Sequence, residues 1–354
     1  MFTNCSNQKE LDSFKLETVM EDLVNKDNPG VLLNISSPAK GILYNGSKGY
    51  SDVKNGVKLK PNQIFRIASV TKTFVAATIL RLWEDGEIRL DDPVGKYISQ
   101  EHRRILKEGG YDPSQIKIYH LLTHSSGMAE HTTSHKFSLE FMKTHHVWTR
   151  TEQINDLIKY AKPVGEIGEK FSYSDSGYVL LGEIIEKVTG ESMGDAIQTQ
   201  LQLSKLGLKD TRMEEFNGDN SPRRIHQYNS NVDSYDFHPS LDYYGGGGLL
   251  STTSDLSCFF LALFENKVFS KQSTLETMLR TVNYNSKQKM DYRMGIWKTE
   301  INGVEAYTHS GFWGTQVVYI PSIETAIAVN YSQHWPGKGN APILEDVLKI
   351  IMKK

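Results

Sequence analysis

The two ends of the chain carry strand patterns, and a long helical segment separates them. Near the N-terminus, Gly30–Ser36 and Gly41–Gly46 flank a short turn, which is a hairpin pattern. Asn302-Gly303, a strong hairpin turn signal, lies between two of the C-terminal strand candidates. Those candidates are Met294–Ile301, Val304–His309, Gln316–Ile320 and Thr325–Tyr331. Strands at both ends with helices between them predict one antiparallel sheet that the two ends assemble together.

Helical patterns fill the middle of the chain and its two extremities. One helix is predicted from Ser69 to Gly86, where glycine suits a left-handed C-terminal cap. Further helices are predicted over Gly177–Val188 and after Ser254-Asp255, a good N-terminal cap. Apolar periodicity predicts terminal helices over Gln8–Asn25 and Ala341–Lys353. The predicted fold class is therefore α/β (α+β), with an antiparallel sheet of five or more strands flanked by helices and a mainly helical subdomain.

The length of 354 residues accommodates this organisation in one catalytic domain. We predict a tail and helix over residues 1–27, followed by a single domain over residues 28–354. Its α/β part is expected at about residues 28–68 and 245–354, and its helical part at about residues 69–244. A net charge of −2 and a pI near 6.6 argue against a nucleic-acid partner. The longest apolar run, Cys258–Phe264, is far too short to span a membrane.

Cys5 has two interpretations. The segment FTNCSNQKE resembles the end of a lipoprotein signal, in which case Cys5 is a possible lipid anchor and the protein belongs to the cell envelope or periplasm. The alternative is a frayed terminus with an incidental cysteine in a cytoplasmic protein. With Cys258 as the second cysteine, no disulfide framework is expected. No sequence feature indicates an oligomeric state.

The tetrapeptide Ser69-Val70-Thr71-Lys72 stands at the start of the helix that ends at Gly86. Positions i and i+3 share a helix face, so the Ser69 hydroxyl and the Lys72 amine are expected within hydrogen-bond reach. A serine hydroxyl needs an adjacent base to act as a nucleophile, and a desolvated lysine can serve as that base. The helix N-terminus adds backbone N–H groups where an acyl oxyanion would form. The alternative is an N-cap serine with a solvated lysine.

Tyr173 and Asp175 lie in a loop directly before the second predicted helix. Alternate residues of a short loop can point into one cleft. A tyrosine beside a lysine ammonium loses its proton more easily, and it can pass a proton to a leaving group. The alternative is a tyrosine that covers the helix start and an aspartate that caps it.

The sequence His309-Ser310-Gly311-Phe312 follows a predicted strand. Glycine there would let a substrate backbone approach the strand edge, and that edge could pair with an extended acyl chain. The N–H groups of Ser69 and Phe312 would form the pair of oxyanion donors that acyl transfer needs. The alternative for the histidine, serine and glycine is a structural role.

Taken together, the three motifs resemble the serine β-lactamase and penicillin-binding-protein superfamily. The closest resemblance is to the class C β-lactamase-related group, which includes D,D-peptidases, D-aminopeptidases and esterases. The likeness covers about residues 28–335. Its further segments are IFRIASVTKTFVAATILRLWEDGEIRLDDPVGKYI, IYHLLTHSSGM, GEKFSYSDSGYVLLGEIIEKVTG, LGLKDTRM, GGGGLLSTTSDL and HSGFWGTQVVYIPSIETAIAVNYS.

The resemblance implies a β-lactamase/transpeptidase-like fold and a serine hydrolase that works through a covalent acyl-enzyme. The expected substrate is a small molecule or short peptide: a D-amino-acid peptide, an ester or a β-lactam. No cofactor is expected. The alternative is a catalytically weak penicillin-binding-like protein that binds peptide or peptidoglycan-like ligands, although a pure binder has no need of a nucleophile.

Two positions depart from the family pattern. Asp175 stands where asparagine is common, and a carboxylate there would pair with Lys72 and weaken it as a free base. This shifts the expected base towards Tyr173, or towards the two residues as a coupled pair. His309 stands where many β-lactamases have lysine, which predicts a weaker, pH-dependent positive charge for a β-lactam carboxylate. Esters or D-configured peptides are therefore expected to be better substrates than cephalosporins.

Three further features are weighed against ordinary structural roles. His131 and His135 have a zinc-ligand spacing, but no third ligand stands out, so no metal site is expected and a solvated lid is favoured. The glycine run 245–248 lacks the features of a phosphate loop and is expected to pass close beneath the cleft. An aromatic set is expected to wall the substrate pocket, with core packing as a nearly equal explanation for the first member: Trp148, Tyr243, Tyr244, Phe312 and Trp313.

Overall fold

The computed structural model describes residues 12–141, 145–230, 232–286, 291–334 and 341–352. Cys5 and the first part of the predicted N-terminal helix lie outside these residues, so the lipid anchor stays a prediction. The division of the chain at residue 27 also stays a prediction. Within the described ranges, no helix combines the length and apolar character that a membrane span requires.

Seven antiparallel strands form the main sheet, in the order β3-β2-β1-β12-β11-β10-β9. The N-terminal strand β1 pairs with the C-terminal strand β12, with Val31 opposite Tyr331 and Ser36 opposite Ala326. The two ends of the chain therefore meet at the centre of one sheet, as the sequence predicts. The strands of this sheet are β1 Gly30–Ser37, β2 Ile42–Asp52, β3 Val57–Lys58, β9 Trp297–Ile301, β10 Val304–Gly311, β11 Thr315–Ile320 and β12 Thr325–Tyr331.

Two strands differ from their predicted bounds. Strand β2 continues to Asp52 because Gly49 pairs with Gly30. Only a glycine fits at position 49, since a Cβ atom there would lie 2.1 Å from the Pro29 carbonyl oxygen. Strand β9 starts only at Trp297, since the preceding Gly295 has a φ of +76° and its carbonyl accepts a 2.7 Å hydrogen bond from the Thr73 hydroxyl. This contact ties the start of the strand to the helix that follows Ser69.

The helices confirm the predicted stops more closely than the predicted starts. Gly86 and Gly190 have φ values of +83° and +72°, as left-handed C-terminal residues should. The predicted cap at Ser254-Asp255 is wrong, because Thr252 accepts the N-terminal hydrogen bond of that helix. The helices are α1 Ser13–Leu23, α2 Thr71–Glu84, α3 Gln100–Glu108, α4 Ile118–Leu122, α5 His135–Phe141, α6 Arg150–Tyr160, α7 Asp175–Thr189, α8 Met193–Gln200, α9 Thr253–Phe264, α10 Gln272–Met278 and α11 Pro342–Met352.

Each face of the sheet packs against a different set of helices. On β1, Val31 and Leu33 belong to the apolar cluster formed with α1 and α11, whereas Leu32 belongs to the larger cluster shared with the helical part. This is the period-2 alternation of a strand buried on both faces. On β12, Ala326 and Ala328 face the larger cluster, and their small side chains leave room for α9, which contacts this strand.

Two small antiparallel sheets complete the fold beside the main one. Strand β4 pairs with β8, and Ile67 donates a 3.1 Å backbone hydrogen bond to Leu249 just beyond the pairing. Because β4 leads into Ser69 and β8 follows the glycine run, this pairing places both segments side by side. The strands of the small sheets are β4 Phe65–Arg66, β5 Arg212–Met213, β6 Tyr228–Asn229, β7 Val232–Asp233 and β8 Leu249–Ser251.

Candidate active site

Ser69 lies in a short 3-10 turn, Ala68–Val70, that runs directly into α2. The Nζ atom of Lys72 lies 3.1 Å from the Ser69 Oγ, so the expected contact across one helix face is present. The preceding residue, Ala68, has a φ of +46°, in the left-handed region that costs an alanine energy. A local strain of this kind directly before a serine is typical of a functional turn.

The Lys72 ammonium has no exposure to solvent. Besides the Ser69 hydroxyl, it donates to the Asp175 carboxylate at 2.5 Å and to the Gly246 carbonyl at 2.6 Å, so all three of its protons are engaged. Burial is the largest single effect and opposes the charge, but Asp175 and Tyr173 together outweigh it and raise the pKa of Lys72 above its ordinary value. The raised pKa favours the ammonium form of Lys72 at neutral pH, which is the direction expected from an aspartate at position 175.

Tyr173 completes the contact between serine and lysine. Both Ser69 and Lys72 are close enough to its hydroxyl to lower the pKa of the phenol, and the Lys72 Nζ lies 5.0 Å from the centre of its ring. Burial raises the pKa of Tyr173 to about 12, although the Lys72 ammonium opposes that rise. The phenol is therefore protonated at rest, with a cation beside it that would stabilise a developing phenolate.

Asp175 is the first residue of α7, and Ser174 occupies the N-cap position. The alternative interpretation of Asp175 as only a helix cap is therefore wrong, since its carboxylate lies against Lys72. Its backbone N–H donates a 2.9 Å hydrogen bond to the Glu130 carboxylate. Two carboxylates thus meet at the start of this helix.

His309 lies on β10 and is almost completely buried. Its Nδ1 lies 2.9 Å from the Ser310 carbonyl and its Nε2 lies 3.2 Å from the Tyr292 hydroxyl, so Nδ1 donates and Nε2 accepts. Burial, followed by the charge of Lys72, lowers the pKa of His309 to about 3. The expected pH-dependent positive charge at this position is therefore wrong, because the imidazole stays neutral across the physiological range.

Gly311 ends β10 where this strand crosses the nucleophile segment. A Cβ atom at this position would lie 2.1 Å from the Ile67 carbonyl and 3.3 Å from the Ala68 side chain. The close approach that requires glycine is thus made by the backbone before Ser69, whereas the sequence predicts an approach by substrate. Gly311 fixes the distance between Ser69 and the turn that carries Phe312.

We expect the Gly311→Ala variant to lose about 10²-fold in kcat/KM, because the added methyl must push β10 away from the Ile67 carbonyl and misplacement by about 1 Å has that effect. The measurement is turnover of a chromogenic ester, with circular dichroism to verify folding. Gly303→Ala in the β9–β10 turn is the control for loss of a glycine away from the site, since no atom lies within 4 Å of its added Cβ. Its φ of +76° makes the substitution strained, so its melting temperature should fall while its activity is retained. Equal activity of the two variants would contradict the proposed spacing role.

Two cavities meet at Ser69. The first, here called the strand-side cavity, has a volume of about 280 Å³ and is lined by Ser69, Tyr173, His309, Ser310, Gly311, Phe312 and neighbouring residues of β11 and β12. The second, here called the aromatic cavity, has a volume of about 580 Å³. Its walls include Ser69, Tyr173, Glu130, Asp175, Asp242, Phe137, Phe141, Phe312 and Trp313. A substrate with its reacting carbonyl at Ser69 can therefore extend in two directions.

The predicted aromatic wall is only partly correct. Phe312 and Trp313 line the aromatic cavity, whereas neither Tyr243 nor Tyr244 lines either cavity at Ser69. The Tyr244 hydroxyl instead donates to the carbonyl of Trp148, which is buried and lines a small side chamber of about 30 Å³. Sequence alone could not separate wall from core, since both environments favour aromatic residues.

The predictions for the glycine run 245–248 and for the histidine pair His131 and His135 have different outcomes. The prediction that the run passes close beneath the cleft is confirmed, because the Gly246 carbonyl contacts Lys72 and a Cβ on Gly245 would meet the Tyr178 carbonyl at 2.3 Å. The solvated lid is wrong for His131, which is buried and lies 3.2 Å from the Ser176 hydroxyl. In the described part of the chain, no three histidine, cysteine or acidic residues are grouped to hold a metal ion.

Sequence analysis missed three residues of the site: Glu130, Asp242 and Tyr292. The two acids line the aromatic cavity, and the Tyr292 hydroxyl contacts both His309 and, at 3.4 Å, the Tyr178 hydroxyl. None of them belongs to a motif with a mechanistic spacing. For the two acids, the available signal was their position beside segments that the sequence analysis had selected. Glu130 directly precedes His131, and Asp242 lies shortly before the glycine run.

Comparison with known proteins agrees with this geometry. The chain is 30% identical over 326 residues to penicillin-binding protein 4* of Bacillus subtilis, covering 84% of this chain but 66% of that relative. It superposes on the octameric penicillin-binding protein homologue of Pyrococcus abyssi with a TM-score of 0.77 and 27% identity, over 97% of this chain and 77% of the other.

A D-stereospecific amidohydrolase from a Streptomyces species has the same fold, with a TM-score of 0.80 over 96% of this chain and 98% of the other. Its sequence identity is 24%, so this likeness concerns the fold alone. The sequence model of one family, Beta-lactamase, matches residues 16–347, which is nearly the whole chain. The fold, the serine–lysine–tyrosine contact and this match show that the chain belongs to the Beta-lactamase family.

Proposed function

We propose that this protein is a serine hydrolase that cleaves an amide or ester bond through a covalent acyl-enzyme on Ser69. The observation that carries the proposal is the contact of the Ser69 hydroxyl with Lys72 Nζ at 3.1 Å, with the Tyr173 ring 5.0 Å from the same Nζ atom. This contact lies where two cavities meet, as an attacking atom requires. Membership of the Beta-lactamase family and the likeness to penicillin-binding protein 4* support the proposal.

Tyr173 is the proposed proton relay. The Ser69 oxygen attacks the substrate carbonyl while its proton passes to the Tyr173 oxygen. The original Tyr173 proton departs ahead of this transfer, to the leaving nitrogen or oxygen or, when the leaving group departs as an anion, to solvent. The Tyr173 oxygen therefore has phenolate character when it accepts the Ser69 proton, and it ends the step protonated. The Lys72 ammonium stabilises the negative charge that develops on the phenol during this exchange. Water then releases the acyl group by the same route in reverse.

The backbone N–H groups of Ser69 and Phe312 are the proposed oxyanion donors. Both residues line the two cavities, and Gly311 holds their segments at close distance. The left-handed turn at Ala68 sets the direction of the following peptide group. Acyl transfer is accelerated most by donors that are fixed in place before charge develops.

Labelling with a fluorophosphonate tests the proposal directly. Intact-protein and peptide mass spectrometry should locate one adduct on Ser69, and the Ser69→Ala variant should stay unlabelled. A protein that stays unmodified by fluorophosphonate, penicillin and activated esters would instead be a ligand-binding member of the family. An adduct on a different residue would also refute the assignment of Ser69.

The Asp175→Asn variant is expected to move the basic limb of the pH–rate profile to lower pH. Burial disfavours the Lys72 ammonium, and the Asp175 carboxylate opposes this effect in the wild type. Without that carboxylate the pKa of Lys72 falls, the ammonium is lost at a lower pH, and Tyr173 loses its support. The measurement is the pH dependence of the acylation rate of both proteins on one chromogenic ester.

Asp85→Asn provides the control for this comparison. It removes a carboxylate at the other end of α2, where Asp85 pairs with Arg81. Its profile should coincide with that of the wild type. A profile of Asp175→Asn that also coincides would show that the Lys72 ammonium does not govern the reaction.

Esters and D-configured peptides are expected to exceed nitrocefin in kcat/KM by at least about tenfold. A cephalosporin carries a carboxylate that needs a positive partner, and one charged hydrogen bond contributes about 1.5–3 kcal/mol. His309 is neutral and the three protons of Lys72 are engaged, so neither supplies that partner. The measurement is a panel of p-nitrophenyl esters, D-amino-acid p-nitroanilides, D-Ala-D-Ala peptides and nitrocefin. A higher value for nitrocefin would contradict the expectation.

A further inference from the structure

The segment that carries Tyr173 belongs to no regular element of the fold. Residues 171–174, all within the described part of the chain, form neither helix nor strand, and α7 begins only at Asp175. A proton relay needs its oxygen at a fixed position, because proton transfer requires hydrogen-bond distances. The position of the Tyr173 backbone therefore depends on hydrogen bonds with other segments.

His124, two residues beyond the end of α4, contacts the backbone on both sides of Tyr173. Its carbonyl accepts a 2.8 Å hydrogen bond from the Ser172 N–H, and its ring Nδ1 accepts a 3.1 Å hydrogen bond from the Ser174 N–H. The imidazole also packs on the Tyr173 ring, with the two ring centres 4.3 Å apart. One residue thus holds the two flanking residues and the ring of the tyrosine.

The hydrogen bond from Ser174 also fixes the protonation of His124. An Nδ1 atom that accepts a hydrogen bond carries no proton, so the imidazole is neutral and its proton lies on Nε2. Burial, followed by the charge of Lys72, lowers the pKa of His124 well below its ordinary value, which agrees with this tautomer. The ring therefore remains an acceptor for the Ser174 N–H at neutral pH.

Ordinary core packing does not explain a histidine at this position. The residue is almost completely buried, and in the described part of the chain no atom accepts a hydrogen bond from its Nε2–H. A buried donor without an acceptor is destabilising, and a leucine would avoid this penalty. The ring lies among four aromatic rings, those of Phe171, Tyr173, Tyr178 and Tyr292.

The backbone of His124 is also strained. Its φ of +52° lies in the left-handed region, and such positions cluster at functional sites. A hydrocarbon side chain would supply no acceptor for the Ser174 N–H. The unsatisfied Nε2–H and the strained backbone are both explained if the Nδ1 acceptor is needed beside Tyr173.

We infer that His124 is a positioning residue for Tyr173, and that it holds the phenol oxygen where the proton relay with Ser69 requires it. His124 lines neither of the two cavities that meet at Ser69, so it acts through the peptide groups on each side of Tyr173. This inference concerns the same site and therefore rests on the proposed hydrolase function.

Two substitutions of His124 and one control test the inference by activity. His124→Leu removes the acceptor, and we expect kcat to fall about 10²-fold with little change in KM, since misplacement by about 1 Å has that effect. Asparagine tolerates a left-handed backbone and offers an oxygen in place of Nδ1, so His124→Asn should retain at least about a tenth of the wild-type kcat. His102→Asn replaces a buried histidine that connects α3 with α6 and α7, and it should lower the melting temperature but not kcat.

A double variant separates positioning of Tyr173 from a general structural role. If His124 acts through the Tyr173 hydroxyl, His124→Leu should slow an anilide more than the ester with the same acyl group. In a Tyr173→Phe background the same substitution should lower kcat by less than about threefold, because the two residues then act as one unit. The full loss in that background, or His124→Asn as slow as His124→Leu, would overturn the inference.

Two measurements without turnover distinguish failure of this inference from failure of the proposed function. The ¹⁵N NMR signals of the His124 ring, identified by their loss in His124→Asn, should show a proton on Nε2 and none on Nδ1. Amide exchange at Ser174 should become at least about tenfold faster in His124→Leu than in the wild type or in His124→Asn, since exchange reports local opening.

The outcomes separate the two ideas. A proton on Nδ1, or unchanged exchange at Ser174 in His124→Leu, would refute the positioning role even if Ser69 is active. The expected tautomer and exchange, in a protein that shows neither turnover nor labelling, would refute the hydrolase and support the hold of His124 on the Tyr173 segment. If His124→Leu does not fold, the tautomer of the wild type and the activity of His124→Asn decide.

Discussion

Replacement of Ser69 by alanine is expected to lower kcat by at least about 10⁴-fold for every substrate of this protein, because loss of an obligatory nucleophile has an effect of this size in serine hydrolases. The substitution removes one hydroxyl at the junction of two cavities and leaves the backbone turn in place. The fold should therefore persist. Lys72 keeps its contacts with Asp175 and Gly246, which continue to hold the site together.

The measurement is steady-state turnover of the best ester or anilide, together with the melting temperature. Ser204→Ala makes the same chemical change in an exposed turn and should retain wild-type rates. Retention of more than about a tenth of the activity by Ser69→Ala would mean that another atom attacks the substrate. A melting temperature close to that of the wild type would show that the loss is chemical and not structural.

Replacement of Tyr173 by phenylalanine should have the second largest effect, about 10²–10⁴-fold in kcat, which is the range for loss of a proton-transfer group. The loss should depend on the leaving group. A p-nitroanilide needs a proton on its departing nitrogen, whereas p-nitrophenolate departs without one. We therefore expect a larger loss for the anilide than for the ester with the same acyl group.

The control for this comparison is Tyr97→Phe, which removes a phenolic hydroxyl that donates to Asp92 away from the site. Its rates should match the wild type for both substrates. An equal loss for anilide and ester in Tyr173→Phe would limit Tyr173 to activation of Ser69. No loss for either substrate would contradict the proton relay altogether.

The sequence predicts the sheet well because its signals are local. Alternating apolar residues and the Asn302-Gly303 turn mark β10 and its neighbours within a few residues, and the two turn residues have the positive φ values of +51° and +76° that such a turn needs. The same is true of the Ser69–Lys72 contact, which needs only one helical turn. These features require no knowledge of distant parts of the chain.

The charges of the site are predicted poorly because they depend on distant residues. His309 is neutral because it is buried near Lys72, and Tyr292 fixes its tautomer from a separate segment. Glu130 and Asp242 become neighbours of Asp175 only through the tertiary fold. The positive φ of Ala68 could not be predicted, because alanine gives no sequence signal for a left-handed backbone.

Two of the three hydrogen bonds of Lys72 connect parts of the chain that are synthesised far apart. Asp175 lies 103 positions after Lys72, and Gly246 lies 174 positions after it. The nascent chain carries its serine and lysine early, but their chemical environment forms only when both later segments have arrived. Contacts across such sequence separations are slow to form because a long loop must first close, so the environment proposed to activate Ser69 should form only with the finished fold. An incomplete chain that ends before Asp175 therefore lacks two of the three contacts that hold the Lys72 ammonium in the proposed site.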